Sequence, residues 1–164
     1  MAQFSFDIAS SYDKAEMNNV FQQAEKEISS RYDFRGTSAS IEWLKDKSGI
    51  KVIADSPWQL EQVVDLFRKK LAARDQSSKV LQLDGDVNES NMKTWQDVPF
   101  RDGLNKDDAK KITKLLKEQH PKIKTQIQDD EVRATSASKD ELQAAMQTLK
   151  QADFEFPLIF RNYR

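Results

Sequence analysis

The residues best equipped for chemistry form one short run, Ser30-Arg31-Tyr32-Asp33-Phe34-Arg35-Gly36, which sets two guanidinium groups beside two aromatic rings and a carboxylate. Arginine can donate a pair of bonds to the O6 and N7 acceptors of guanine, a carboxylate can accept from guanine's donor edge, and the rings can stack on the base. Arg31, Tyr32, Phe34 and Arg35 are therefore candidate nucleotide-binding residues. The same residues equally suit the end of a helix, with Arg31 offsetting the dipole and Phe34 packing beneath a sheet. Lys93, Trp95, Arg101, Arg161, Tyr163 and Arg164 join the candidates because they combine stacking surfaces with donors for phosphate or base edges. Lys106, Lys110, Lys114 and Lys117 recur at near-helical spacing, so their ammonium groups line one stripe that could meet the phosphates of RNA. A solvated helix face has the same pattern.

Other chemistries lack their parts. Gly36, Gly49, Gly85 and Gly103 stand too far apart to cradle a phosphate in a glycine-rich loop. There is no cysteine, and the one histidine, His120, precedes Pro121 at the expected end of a helix, where an imidazolium would favour the dipole. No nucleophile, base and orienting group assemble, so neither a catalytic residue, a metal site nor a cofactor is expected. The 26 Lys and Arg nearly balance the 27 Asp and Glu, for a formal net charge of -1, so any attraction to nucleic acid must come from a local patch. The opening MAQFSFDIAS has no basic start, and no apolar run reaches the roughly 18 residues a membrane span requires. A cytoplasmic protein with no membrane partner is expected.

Four segments with helical periodicity must position these groups. Met17, Val20, Phe21, Ala24 and Ile28 form the first apolar stripe, and Leu60, Val63, Val64, Phe67 and Leu71 the second. Ala109, Ile112, Leu115 and Leu116 make a third, and Leu142, Ala145, Met146 and Leu149 a fourth. Asp13 with Glu16, Ser56 with Gln59, and Ser138 with Glu141 have capping-box spacing. Between helices the period falls to two, as in Phe4, Phe6 and Ile8, which predicts strands near 3–8, 39–44, 50–54, 80–83, 92–100, 123–128, 131–135 and 158–160. Hairpins are expected across 45–49 and across Asp129-Asp130. The order is β-α-β-β-α-β written twice, an α+β protein of two ferredoxin-like, RNA-recognition-like units from an internal duplication. Ser56, Leu60, Val63, Val64 and Phe67 correspond at constant offset to Ser138, Leu142, Ala145, Met146 and Leu149. The polar segment 84–91 reads as the connection between halves. The aromatics that let such sheets read RNA are not evident in 50–54 or 132–135.

Several ordered matches make the chain resemble the YajQ family of bacterial proteins. They are Ser5-Phe6-Asp7-Ile8, Ser30-Arg31-Tyr32-Asp33-Phe34-Arg35, Lys93-Thr94-Trp95, Ala109-Lys110-Lys111-Ile112, the run 126–133, Asp140-Glu141-Leu142-Gln143-Ala144 and Arg161-Asn162-Tyr163-Arg164. The resemblance implies two ferredoxin-like domains with exchanged N-terminal strands. The first would span 11–91, completed by strand 92–100, and the second 104–164, completed by strand 1–10. It also implies binding rather than catalysis: of nucleotides, of RNA, or of cyclic di-GMP in an effector that acts on transcriptional regulators or other protein partners. With the arginine cluster, this makes GTP or cyclic di-GMP the expected ligand, an RNA-binding protein the alternative, and a protein-interaction module without nucleotide the third reading. The chain departs from the family where Gln-Ile-Gln-Gly-Asp and Thr-Gly-Lys are expected, with Asp129 in place of the glycine and Thr135-Ser136-Ala137 in place of the second motif.

Overall fold

The computed structural model describes residues 3–164. Its elements are β1 (Phe4–Ala9), α1 (Lys14–Ser30), β2 (Ser40–Trp43), β3 (Gly49–Ala54), α2 (Pro57–Ala73), β4 (Asn88–Ser90), β5 (Lys93–Pro99), α3 (Lys106–Gln119), β6 (Lys124–Gln128), β7 (Glu131–Ser136), α4 (Lys139–Gln151) and β8 (Ile159–Arg161). They fall into two compact units, one of Tyr12–Arg101 and one of the residues up to Ser11 with Asp102–Arg164. Each holds a four-stranded antiparallel sheet and two helices, an arrangement compatible with two α+β domains. No helix among the described residues is long and apolar enough to cross a membrane.

All four helices start as their cap residues dictate. Asp13, Ser56 and Ser138 accept from the backbone N–H three residues on, that of Glu16, Gln59 and Glu141 respectively, and Asn105 does the same for Asp108. The return half of each expected capping box goes elsewhere. Glu16 binds the Arg74 guanidinium, the Gln59 amide oxygen accepts from Asp55 N, and Glu141 Oε1 lies 3.6 Å from His120 Nδ1. These side chains tie helix starts to neighbouring elements instead of closing on their own helix.

In the Tyr12–Arg101 unit the sheet order is β2-β3-β5-β4, with Ile50 opposite Val98 and Val52 opposite Gln96. The apolar stripes of α1 and α2 meet Ile41, Ile50, Val52, Ala54, Val98 and Phe100 in one core. Gly49 has no room for a Cβ, which would collide with Val98 O and Pro99 Cα, so β3 can start against β5 only with glycine there. Three sequence expectations are corrected here. Residues 80–83 form no strand: Ser78–Val80 is a single 3-10 turn followed by an isolated bridge from Leu81 to Phe100. The polar segment 84–91 is no connector, because β4 lies within it and pairs with β5 in this unit's own sheet. The last of these strands starts at Lys93 and not at Met92, since Asn91 and Met92 form a two-residue turn with φ of 52° and 65°. Polar composition hid a three-residue edge strand whose side chains need no apolar partner.

In the other unit the order is β6-β7-β1-β8. Strand β1 is central, pairing Phe4 through Ala9 with Ser136 through Glu131 on one side and Asp7 through Ala9 with Arg161 through Ile159 on the other. Phe6 and Ile8 are fully buried against Ile112, Leu116, Val132, Ala134, Leu142 and Leu149. Phe6→Ala should therefore lower unfolding free energy by about 3–5 kcal/mol. The loss should appear in denaturant melts, with reduced amide protection across β6 and β7; undiminished protection there would show that β1 does not hold this sheet together.

Candidate nucleotide-binding sites

The structure distributes the candidate residues over three places. At the first, the segment 31–36 leaves α1 as a 3-10 turn over Tyr32–Phe34. Arg31 is already occupied, donating through Nε and Nη2 to both carboxylate oxygens of Asp33 at 2.9 and 2.6 Å. Its guanidinium also lies 4.5 Å from the centre of the Phe34 ring. The pairing holds the Asp33 carboxyl below its ordinary range and raises the arginine further. Phe34 is buried in the core, whereas Tyr32, 87% exposed, and Arg35 face solvent. The turn thus offers one ring and one arginine, with the second arginine neutralised.

The second place is the sheet face away from α1 and α2. Thr94, Gln96 and Val98 turn inward, so Lys93, Trp95 and Asp97 take the opposite face of β5. Trp95 is half-buried there, with Lys51 Nζ 4.6 Å from its ring centre. An aromatic therefore stands on a central strand of this sheet, on β5, while 50–54 on β3 carry none. Acidic groups accompany the lysines: Lys51 is directly opposite Glu42 on β2 and Asp97 on β5. Arg101 keeps a buried Nε that finds no acceptor among the described residues.

The third place is in the other unit, where α4 runs beside β1 and encloses a cleft of about 500 Å³. Lys139, Leu142, Gln143, Met146, Gln147 and Lys150 come from α4 at helical spacing, and Phe4, Ser5 and Phe6 from β1. Tyr163 and Arg164 complete the lining, which contains no carboxylate side chain. Arg164 is paired to Ser5 by backbone bonds in both directions. Tyr163 stacks on Phe6 with ring centres 6.3 Å apart and remains 63% exposed. Lys139 Nζ sits 4.9 Å from the Phe4 ring centre and Lys150 Nζ 5.9 Å from that of Phe160.

Asp7 fixes this wall. The residue is 4% exposed, and its carboxylate receives bonds from Arg133 Nε at 2.9 Å and Asn162 Nδ2 at 2.8 Å. At Asn162, with φ 57°, the last residues gain one position along β1, so that Arg164 and not Tyr163 pairs with Ser5, and Tyr163 falls on the Phe6 face. Arg161 is separately engaged by Glu131 at 2.6 Å. Of the residues singled out from sequence, only Tyr163 and Arg164 line this cleft; Phe4, Lys139 and Lys150 were missed because each reads singly as strand core or helix surface. Lys106, Lys110, Lys114 and Lys117 are all exposed on α3, away from the lining.

A family model described as "Nucleotide-binding protein YajQ-like" matches residues 4–164. The chain belongs to that family. Relatives named nucleotide-binding protein include those of Nocardioides sp. and Mycolicibacterium vanbaalenii, each 41% identical over 165 residues, covering all of both chains. That of Mycobacterium avium is 42% identical over 166 residues with the same full coverage. The wall of the cleft beside α4 can be approached through Asp7.

The Arg133 bond, opposed by burial and aided by Asn162, pulls the Asp7 carboxyl below its ordinary range. A depressed folded-state pKa adds stability that is present above the unfolded value of about 3.9 and disappears as pH falls through the lower folded value. Asp7→Asn should therefore cost about 1–3 kcal/mol at pH 7 and flatten the acid limb of the stability curve below about pH 4. Urea melts from pH 2 to 7 test this; an unchanged acid limb would remove Asp7 from the account.

Proposed function

We propose that this protein is a receptor for a guanine nucleotide, GTP or cyclic di-GMP, which it binds without turnover and relays through a protein partner. The observation that carries the reading is the cleft beside α4: concave, floored by aromatic rings, edged by Lys139, Lys150 and Arg164, and free of carboxylate side chains in its lining. Concavity, apolar walls and a few convergent polar groups are what small-molecule sites share. The outer face of Tyr163 can stack on a base, the lysines meet phosphate, and Arg164 can donate to the guanine acceptor edge. The turn at Tyr32 and Arg35 and the face bearing Lys93 and Trp95 are weaker supports, since carboxylates accompany both.

RNA binding is the second reading. The four exposed lysines of α3 favour it, and it would show a salt slope near -0.9 for each duplex phosphate contacted or about -0.7 on single strands. The correspondence between the α2 and α4 stripes supports descent of the two units from one duplicated domain.

Calorimetric titration with GTP and cyclic di-GMP tests the site. Tyr163→Ala should weaken binding by about 1–3 kcal/mol, roughly 5- to 150-fold. Lys139→Ala and Lys150→Ala should each cost roughly 5- to 30-fold, while Arg31→Ala should change little. Melting temperatures near that of the wild type are required of every variant compared. If Arg35→Ala or Lys110→Ala abolishes binding and the cleft variants leave it intact, the site lies at the turn or on the lysine stripe instead.

Turnover is a separate question. The purified protein should hydrolyse GTP, ATP and cyclic di-GMP at far below about 1 per second, the low end of ordinary enzyme rates. Faster hydrolysis that co-purifies with the chain and vanishes on mutation would make it an enzyme.

A further inference from the structure

The Tyr12–Arg101 unit has a second groove, of about 520 Å³ and opposite electrical character. One wall is the flank of α2 where its core-facing Leu60 and Val64 meet the exposed Pro57, Glu61, Asp65 and Arg68. The other is the run Leu83, Gly85 and Val87, with Gln96 between. This run arches off the sheet because the buried Gln96 amide donates to Leu83 O at 3.1 Å and to Gly85 O at 2.9 Å. Backbone pairing to the C-terminal part of β5 and beyond resumes only on either side of the arch, at Gln82 N to Pro99 O and at Asn88 opposite Trp95. The groove is therefore held open by hydrogen bonds already made within the unit.

Its apolar floor is rimmed by Glu61 and Asp65, and Asp84 and Asp86 are exposed on the arch itself. Arg68 is the one lining cation, and it is paired with Asp65 at 3.1 Å. Val87 is 48% exposed, and Trp58, next to the lining Pro57, is 70% exposed. Glu61, Asp84 and Asp86 are left in excess of that one paired cation, and apolar surface beside such net negative charge suits a partner bearing apolar side chains and positive charge. The carbonyls of Leu83 and Gly85 are engaged by Gln96, so the arch is poorly placed to pair with an added strand, and a helix that satisfies its own backbone fits better.

The geometry points to a docking groove for a basic amphipathic helix of a partner protein, laid between α2 and the Leu83–Val87 arch. This goes beyond nucleotide recognition and depends on neither the cleft beside α4 nor any bound nucleotide.

The probe is a fluorescein-labelled 18-residue peptide of Leu and Lys patterned as an amphipathic helix, titrated against the full-length chain by anisotropy. Controls are a scrambled peptide of the same composition and a Leu/Glu analogue. Charge reversal in Glu61→Lys/Asp65→Lys should weaken peptide binding tenfold or more, whereas Glu25→Lys on α1 should change it less than twofold. Backbone amide shifts on adding peptide should cluster at Leu60, Val64, Asp65 and Val87. The proposal is overturned if the patterned peptide does not bind, if the scrambled peptide binds equally, if Glu25→Lys weakens binding as much as the double reversal, or if the shifts fall outside the groove. Nucleotide titration of the double-reversal variant should match wild type, so failure here and failure of the nucleotide reading remain distinguishable.

Discussion

One short strand, β1, carries two incompatible demands, and its alternation resolves them. Phe6 and Ile8 must leave water, while between them Asp7 must keep its charge. A buried carboxylate is tolerated only when its oxygens are bonded, and Arg133 from the neighbouring strand supplies a guanidinium at the paired register position. The remaining acceptor capacity takes Asn162, at the one-residue bulge through which the end of the chain continues along β1. The wall of the cleft beside α4 then follows: the backbone pairing of Arg164 with Ser5 and the stacking of Tyr163 on Phe6 both depend on that bulge.

Legibility in the sequence followed physical locality. Helix starts were visible because a cap depends on residues three apart, and strand interiors because burial imposes a two-residue period. What failed was short or edge structure. The β4 strand has three polar residues, and the arch before it is held by the Gln96 side chain, a contact with no sequence periodicity. The cleft was the hardest feature to foresee. Its lysines are the first and the penultimate residue of α4, its aromatics come from β1 and the last residues, and only sheet pairing brings them together. The arginine-rich turn shows the converse: a motif conspicuous in sequence proved to be partly self-neutralised, because Asp33 lies within reach of the Arg31 fork.

A near-zero net charge conceals strong local contrast. The lining of one cleft holds three cationic side chains and no carboxylate side chain, and the groove in the other unit is walled by Glu61 and Asp65 with a single, already paired arginine. Fields of this kind fall off over roughly 8 Å at physiological ionic strength, so a ligand responds to the local patch and not to the total of the chain. Lys139 and Lys150 are eleven residues apart, three helical turns, which sets their Cα atoms about 16 Å apart on one face of α4. Their charges therefore mark the two ends of the cleft and leave its middle to the aromatic rings.

The departures from the family pattern fit the same electrostatic logic. Asp129 stands where the resemblance led us to expect glycine and adopts φ 53°, a left-handed conformation that aspartate tolerates better than most residues. The chain can therefore make the β6–β7 turn without glycine, but the turn acquires two adjacent carboxylates, at Asp129 and Asp130, and becomes unfavourable for a phosphate. The second departure removes a lysine from 135–137, yet Lys139 follows two residues later, in the first turn of α4. There the positive end of the helix dipole adds to its charge. Negative charge thus gathers at the hairpin tip and positive charge at the start of α4, beside the aromatic rings that line the cleft.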